Sequence, residues 1–452
     1  MIIRLLKRSW STLRNYPSIY VSLAIIVGLL AVSIYAVVAI PYSDAVRLWR
    51  GAESVWSDTP RYAMPAWTNV FRSTKLLETF AIPSSDENTA LKDVTASSTV
   101  LETRFSFEYT SQVFPQEMNV FFNAQYESKK PFILLTWHTP DGREIPLFRS
   151  SILSDDRFSI SQDSSLRQLF DGEAPHVGLL ADPATINIED VEPEVLAGEY
   201  ELVVQTYLFE EGSSVDSRLV VYGQVHGLAG TDHRRRDLSV GLLWGTPVAL
   251  LFGLLATIGT NILTFIIAAA GTWYGGWLDA VIQRLTEINI MLPFLPILIM
   301  IGTFYSRSIW LMLAVIIVLG IFSASIKTYR SMFLQVRNAP FIEAARAYGA
   351  SGPRIIFRYM MPRIAPVLVP AFVTGIPAFV FLEASLAVLG LGDPILPTWG
   401  KILNDAYRGG ALYRGYYYWV LEPAVMLIIT GLAFSMLGFA LDRIFNPRLR
   451  GL

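Results

Sequence analysis

The side chains able to do chemistry are few and scattered. Four histidines, His138, His176, His226 and His233, share no H-x-x-H or H-E-x-x-H spacing, so no zinc site is indicated. The 452 residues include no cysteine, which removes disulfides, thiolate metal sites and thiol redox chemistry. Ile188-Glu189-Asp190-Val191-Glu192-Pro193-Glu194 concentrates carboxylates but lacks the alternating acid and glycine pattern of a calcium loop, and reads as a solvated loop. No G-x-x-x-x-G-K-[ST] occurs, because Trp399-Gly400-Lys401-Ile402 fails it on both flanks. With no phosphate-cradling loop and no nucleophile–base arrangement, the expectation is a chain that is not an enzyme and binds no cofactor itself. Glu383 stands inside an apolar run, where an ionised side chain at mid-bilayer costs about 2.5–3.5 kcal/mol. It is a candidate pathway or gate residue, with an interhelical hydrogen bond as the competing role. Asp279, Arg284 and Glu287 share a helical stretch, and Arg284 and Glu287 are spaced to pair.

The elements that carry these residues are mostly apolar. Hydrophobic residues make up 52% and charged residues 16% of the chain, against about a quarter charged in soluble domains. The mean hydropathy is +0.42. A net charge of −2 gives no reason to expect a nucleic acid partner. Residues 18–40 hold no charge and are long enough to cross a bilayer. Arg4, Lys7, Arg8 and Arg14 precede them as in a signal peptide, but the run is longer than a signal core and no A-x-A site follows, so it reads as a retained anchor.

From 41 to 237 the pattern changes to short alternating runs: Leu101–Tyr109, Asn119–Tyr126, Phe132–His138, Tyr200–Leu208 and Leu219–Val225. Pro140-Asp141-Gly142 reads as a turn between two strands, and Val46–Trp56 and Arg72–Phe80 read as helical. Apolar runs return near 240–270, 289–304, 309–326, 365–391 and 419–440. The expected architecture is a polytopic α-helical membrane protein of six spans with an inserted, mainly β, sandwich-like domain. Its parts are an N-terminus at 1–17, a first span at 18–40, the β-rich domain at 41–237, five spans over 238–442 with a loop at 327–364, and a C-terminus at 443–452.

Six spans put both termini on one side with the 271–288 and 327–364 loops. Those four segments carry four, one, seven and three Lys and Arg, against four in the loops opposite. Positive charge favours the cytoplasm, which places the termini inside and residues 41–237 outside. His233-Arg234-Arg235-Arg236 then falls on the outer side and reads as an anchor to lipid headgroups.

The 327–364 loop is patterned as a hairpin. Asn338-Ala339-Pro340 supplies a break, Phe341–Tyr348 reads as a short helix that Gly349 ends, and Ser351 or Gly352 with Pro353 starts a second helix, Pro353–Met361, that stops at Pro362. Ala344, Ala345, Ala347, Gly349 and Ala350 would let another surface approach closely. On these residues alone, a docking hairpin and an amphipathic hairpin lying on anionic lipid stay equally open.

EAARAYGASGPRIIFRYMMP (Glu343–Pro362) resembles the EAA-G loop of binding-protein-dependent ABC importer permeases. GTDHRRRD (Gly230–Asp237) is similar to the G-T-D-x-x-G-R-D that precedes the second span in the dipeptide/oligopeptide/nickel class, C-type subunit, with Arg235 where that pattern has glycine. Tyr274–Pro296 and Phe381–Leu403 resemble two further segments of the same class. The resemblance implies a type I importer permease in a prokaryotic cell membrane, with Glu343, Ala344, Ala345, Ala347, Gly349, Ala350 and Pro362 at the ATPase-coupling surface. It also implies partners: a homologous second permease subunit, two ATP-binding subunits that hold ATP and Mg, and an extracytoplasmic solute-binding protein. Peptides are the implied solutes, with oligosaccharides or nickel as alternatives. The rival from another class is a membrane-anchored ligand sensor or assembly protein. The resemblance does not extend to the β-rich domain, which is much shorter in typical members.

Overall fold

The computed structural model describes residues 17–51, 55–94, 98–186 and 192–445. The basic residues Arg4, Lys7, Arg8 and Arg14, most of the 188–194 acidic run and the last residues of the chain lie outside them. The chain divides into two compact units: Met1–Arg50 with Val240–Leu452, and Gly51–Ser239.

The Gly51–Ser239 unit is an antiparallel β-sandwich. Its strands are β1 (Phe80–Pro83), β2 (Thr89–Val94), β3 (Thr99–Tyr109), β4 (Glu117–Gln125), β5 (Phe132–His138), β6 (Glu144–Ser151), β7 (Asp155–Ser159), β8 (Gly198–Leu208) and β9 (Ser214–Tyr222). One sheet has the order β1-β9-β4-β7, the other β2-β3-β8-β5-β6. Alternate residues face inward, as a strand's two-residue period requires. Met118, Val120 and Phe122 of β4 and Leu219 and Val221 of β9 thus meet Ile133, Leu135 and Trp137 of β5 and Leu202 and Val204 of β8 in one core. The β5–β6 turn closes with Gly142 donating to the Thr139 carbonyl at 2.9 Å. Gly142 has φ +85°, a value that favours glycine.

The two ends of this unit are stitched together. Met64 donates to the Gln224 carbonyl, His226 to that of Met64 and Thr231 to that of Ala63, all within 2.9 Å. The Thr231 hydroxyl donates to the Pro60 carbonyl at 2.8 Å and accepts from the Ala63 N–H at 2.9 Å.

Arg72–Phe80 is not helical. The 3₁₀ turn lies earlier, at Ala66–Phe71. The Asn69 amide then grips both the N–H and the carbonyl of Leu76 at 3.0 Å, and the Leu77 carbonyl accepts from Gln224, so the segment is held extended. Of Val46–Trp56, the part to Arg50 is helical, in a helix that begins at Tyr42, and residues 52–54 lie outside the described residues.

The other unit is helical: α1 (Pro17–Ala39), α2 (Tyr42–Arg50), α3 (Leu238–Tyr274), α4 (Gly276–Met291), α5 (Phe294–Phe304), α6 (Ile309–Ile321), α7 (Ser325–Arg337), α8 (Pro340–Ala347), α9 (Gly352–Leu391), α10 (Trp399–Arg408) and α11 (Tyr417–Phe445). Four of these, α1, α3, α9 and α11, are long and apolar enough to cross a membrane. The runs read as single spans at 289–304 and 309–326 are bent pairs instead, α4 with α5 at 79° and α6 with α7 at 46°. Pro293 explains the first: it supplies no N–H, and it holds Leu292 extended at ψ 133°. At the second, the Asn289 side chain donates to the Leu319 and Phe322 carbonyls at 2.9 and 3.2 Å, satisfying groups freed by the break. At 1.5 Å per residue α5 and α6 reach only about 17 and 20 Å, so neither spans hydrocarbon alone.

Glycines set the closest helix contacts. A Cβ on Gly245 would lie 2.4 Å from Trp399 Cδ1, and one on Gly241 2.6 Å from Trp49. Trp399 also donates its indole N–H to the Leu242 carbonyl at 3.0 Å, locking α10 onto α3.

Candidate functional site

The hairpin at 338–362 is built on a fixed base. Pro340 occupies the first turn of α8, where its missing N–H costs nothing. After α8, Gly349 adopts φ +77° and donates to the Arg346 carbonyl at 2.9 Å, while Ala350 donates to that of Ala345 at 3.0 Å. This left-handed stop turns the chain toward α9.

Beneath the turn, Ile342, Ile355, Ile356 and Met360 pack with Phe265, Tyr329 and Phe333 in one buried cluster. The C-terminal end of α3 holds the hairpin from the side. The Arg346 guanidinium lies 4.4 Å from the Trp273 ring centroid, and Arg337 donates to the Thr272 carbonyl at 2.9 Å. Gly352 fits closely against Trp273, since a Cβ there would come within 2.9 Å of the indole nitrogen. Asp279 on α4 accepts from Arg330 Nε with both oxygens, at 2.8 and 3.1 Å. This geometry suits a planar guanidinium.

These supports were not legible as a set. Arg330 and Asp279 are 51 positions apart, and Trp273 precedes Arg346 by more than seventy, so no local spacing announced either contact. The Arg284–Glu287 pair forms at 3.4 Å but is well exposed and contributes little.

The seven residues assigned to the coupling surface do not share one environment. Glu343, Ala344, Ala347, Gly349 and Pro362 are exposed, Ala350 is half-buried, and Ala345 is buried. Tyr348 is 92% exposed, and Phe341 and Phe357 add apolar surface beside it. The second helix does not stop at Pro362. Residues Ile356–Met360 form a π-helical turn, and the helix continues from Met361 to Leu386 without a break. The wider turn accommodates a proline that supplies no N–H and crowds the carbonyl four residues earlier.

Glu383 lies on α9 and is buried. It hydrogen-bonds with Thr398, and Asp393 lies close by. Asp393 in turn accepts from the N–H groups of Ile309 at 3.0 Å and Ile395 at 2.8 Å. Glu383 is thus packed within the chain, at a seam where Gly400 presses on Ala384. Among the described residues no group of three His, Asp or Glu could hold a metal ion.

The anchor reading of His233–Arg236 fails for its last two residues, while Arg234 is exposed and His233 half-buried. Arg235 and Arg236 are 1% and 2% exposed. Arg236 donates to Asp232 at 2.7 Å. Arg235 donates to the Thr59 carbonyl at 2.9 Å, pairs with Glu117 and lies 4.4 Å from the Tyr222 ring centroid. These guanidiniums serve the β-unit's interior rather than lipid.

Residues 242–451 match the family model "Binding-protein-dependent transport system inner membrane component". The glutathione transport system permease GsiD of Escherichia coli (strain 536) is 32% identical over 232 residues, covering 49% of this chain and 72% of that protein. The dipeptide transport system permease DppC of Bacillus subtilis is 26% identical over 222 residues, covering 49% and 68%. An inward-facing structure of the MetNI methionine ABC transporter aligns over 45% of this chain and 96% of its own, at 21% identity and a TM-score of 0.32. The chain belongs to the binding-protein-dependent inner-membrane component family, as an ABC importer permease of the peptide class with a large N-terminal β-rich insertion.

Proposed function

We propose that this chain is one of two homologous permease subunits of an ATP-driven importer of peptides or similar small solutes. It spans a prokaryotic cell membrane six times, each bent helix pair counting as one span. Both termini and the 327–364 loop face the cytoplasm, and residues 41–237 lie outside. Two separate ATP-binding subunits, which hold ATP and Mg, dock on the exposed face of residues 343–362, and a solute-binding protein delivers cargo to the outer side. Alternating access follows if the ATPase dimer grips the hairpin differently when open and when closed, because only differential binding shifts a conformational equilibrium.

One observation carries the reading. Glu343, Tyr348 and Gly349 project from a hairpin whose second arm is the start of α9 and whose other face is packed on α3 by Ile342, Ile355 and the Arg346–Trp273 contact. A push on that surface therefore reaches two long helices directly. Affinity purification of the tagged chain from native membranes is expected to bring down ATP-binding subunits and a second permease. Recovery of the chain with neither would favour the sensor or assembly reading.

The absence of cysteine makes the topology testable with single additions. In intact cells, a membrane-impermeant maleimide is expected to label Leu153→Cys and to miss Tyr348→Cys until the membrane is opened. Labelling of Tyr348→Cys in sealed cells would reverse the orientation.

A further inference from the structure

The most exposed apolar side chains of the β-unit gather at one end of it. Val70, Phe71 and Leu228 are 79%, 82% and 80% exposed, more than any other large apolar residue described in the unit. They stand on two loops tied side by side. Ala66 donates to the Gly227 carbonyl at 2.9 Å, and the Trp67 indole N–H donates to that of Leu228 at 3.0 Å. Trp67 is exposed too, and its ring meets Phe71 edge to face with centroids 6.4 Å apart. The Asn69 clasp on Leu76 closes residues 70–75 into a short loop, and all six are exposed. Isolated surface hydrophobics need no explanation, but four gathered on two joined loops do.

The charge around this tip is mostly of one sign. Across residues 64–78 and 226–238 the exposed charged residues are Arg72, Lys75, Arg234 and a single acid, Glu78. The course of the chain indicates what the tip faces. Leu228 stands ten positions before Leu238, the first residue of α3, and Leu238 donates to the Gly230 carbonyl at 3.0 Å. Asp237 is the last charge before the 37 uncharged residues of α3, a helix apolar enough to cross a membrane. The loop bearing Leu228 is therefore pinned to the point where that apolar run begins. Tryptophan and other apolar side chains bordered by cations are the composition suited to a membrane–water interface.

We propose that the tip formed by Trp67, Val70, Phe71 and Leu228 is seated in the adjoining lipid leaflet. Its apolar side chains lie where headgroups meet acyl chains, with Arg72, Lys75 and Arg234 among the phosphates. The seat gives the insertion a hold on the bilayer besides its two covalent connections. The inference rests on α3 being a membrane span, and it is the same whichever side of the membrane the unit occupies.

The chain has no cysteine, so a single added one reports its own surroundings. Phe71→Cys in the purified full-length chain is labelled with nitrobenzoxadiazole and placed in nanodiscs of phosphatidylcholine and phosphatidylglycerol. Its emission should shift to the blue, and should be lost when the lipid carries a doxyl group near its headgroup. Leu153→Cys is the comparison. Ala124 donates to the Ser154 carbonyl at 2.7 Å, which places Leu153 at the far end of β4. From Glu117 to Gln125 that strand runs about 26 Å, beyond the reach of a contact quencher at the tip. The Leu153 label should ignore doxyl lipid and be quenched by aqueous iodide. To separate the tip's own affinity from that of the dye, Leu228→Cys is labelled with and without Val70→Ser and Phe71→Ser. The double substitution should lower the ratio of seated to unseated tip by about tenfold or more, because it removes most of the apolar surface that lipid covers. All these positions are exposed, so the fold should tolerate them, and circular dichroism checks that it does.

Equal doxyl quenching at Phe71 and Leu153, quenching at neither, or parental seating after the double substitution would each overturn the inference. Blue-shifted emission at Phe71 that doxyl lipid leaves intact would overturn it too, assigning the tip to a protein surface such as a second copy of the chain. A label at Leu254→Cys, exposed on α3, keeps the two readings apart. With lipid deep-labelled by doxyl, its quenching without quenching at Phe71 would reject the seat and leave the permease reading intact.

Discussion

Arg235→Ala is expected to destabilise the β-rich insertion by about 3–5 kcal/mol, the cost of removing one partner from a buried ion pair. The substitution leaves Glu117, 14% exposed, without its cation and takes a donor from the Thr59 carbonyl. Two further variants separate the contributions. Arg235 has φ +66°, and the left-handed region costs a residue with a Cβ roughly 1–2 kcal/mol. Arg235→Gly should therefore retain about 1 kcal/mol more stability than Arg235→Ala, because it removes that strain along with the pair. Arg235→Lys keeps a charge but not the planar fork, and should fall between parent and alanine. Denaturant unfolding of the purified chain, followed by limited proteolysis of residues 51–239, reads the order directly. Parental resistance in Arg235→Ala would show that the buried pair does not hold the unit together.

The second large effect concerns Gly349. A Cβ placed there meets nothing within 4 Å, so the chain itself leaves room for a side chain. Two penalties remain for Gly349→Val: a β-branched residue at φ +77°, and bulk projecting beside Tyr348 where the ATP-binding subunit is proposed to dock. Overpacking a close-fitting interface costs about 1–3 kcal/mol, so ATP-driven peptide uptake should fall by about 5- to 150-fold. Membrane insertion and the amount of chain should stay normal. Gly349→Ala carries the backbone strain with little bulk, and its smaller loss would apportion the two causes. Parental uptake by Gly349→Val would remove the hairpin from the coupling mechanism.

What the sequence disclosed, and what it hid, follows from where the information sits. Strands β3, β4, β5, β8 and β9 were legible because each alternates buried and exposed residues over most of its length. Strands β1, β2, β6 and β7 were not. Each forms the edge of its sheet, β1 and β6 contain a proline, β2 is largely exposed, and β7 is mostly charged. An edge strand needs only one pairing partner and can carry a pattern that resembles a loop.

The hairpin shows the same division. Its first helix could be read from Pro340 and its turn from Gly349, because both residues act on their own backbone. The passage of α9 through Pro362 could not, since the π-turn at Ile356–Met360 is paid for by packing on Phe265 and Phe333. Arg235 was misjudged for a related reason. A run of cations beside an apolar helix reads as surface, and only the Glu117 and Tyr222 positions, far away in sequence, reveal it as interior.

The stitched ends of the insertion have a consequence for how such a protein can arise. The hydrogen bonds of Ala63 and Met64 with Thr231, Gln224 and His226 bring the incoming and outgoing chain to one place. Everything between them is, topologically, the tip of a single tight turn. Lengthening a loop whose ends already meet adds entropy cost only logarithmically. A lineage could therefore acquire, exchange or discard the whole sandwich as a cassette, each step judged by selection on its own merits.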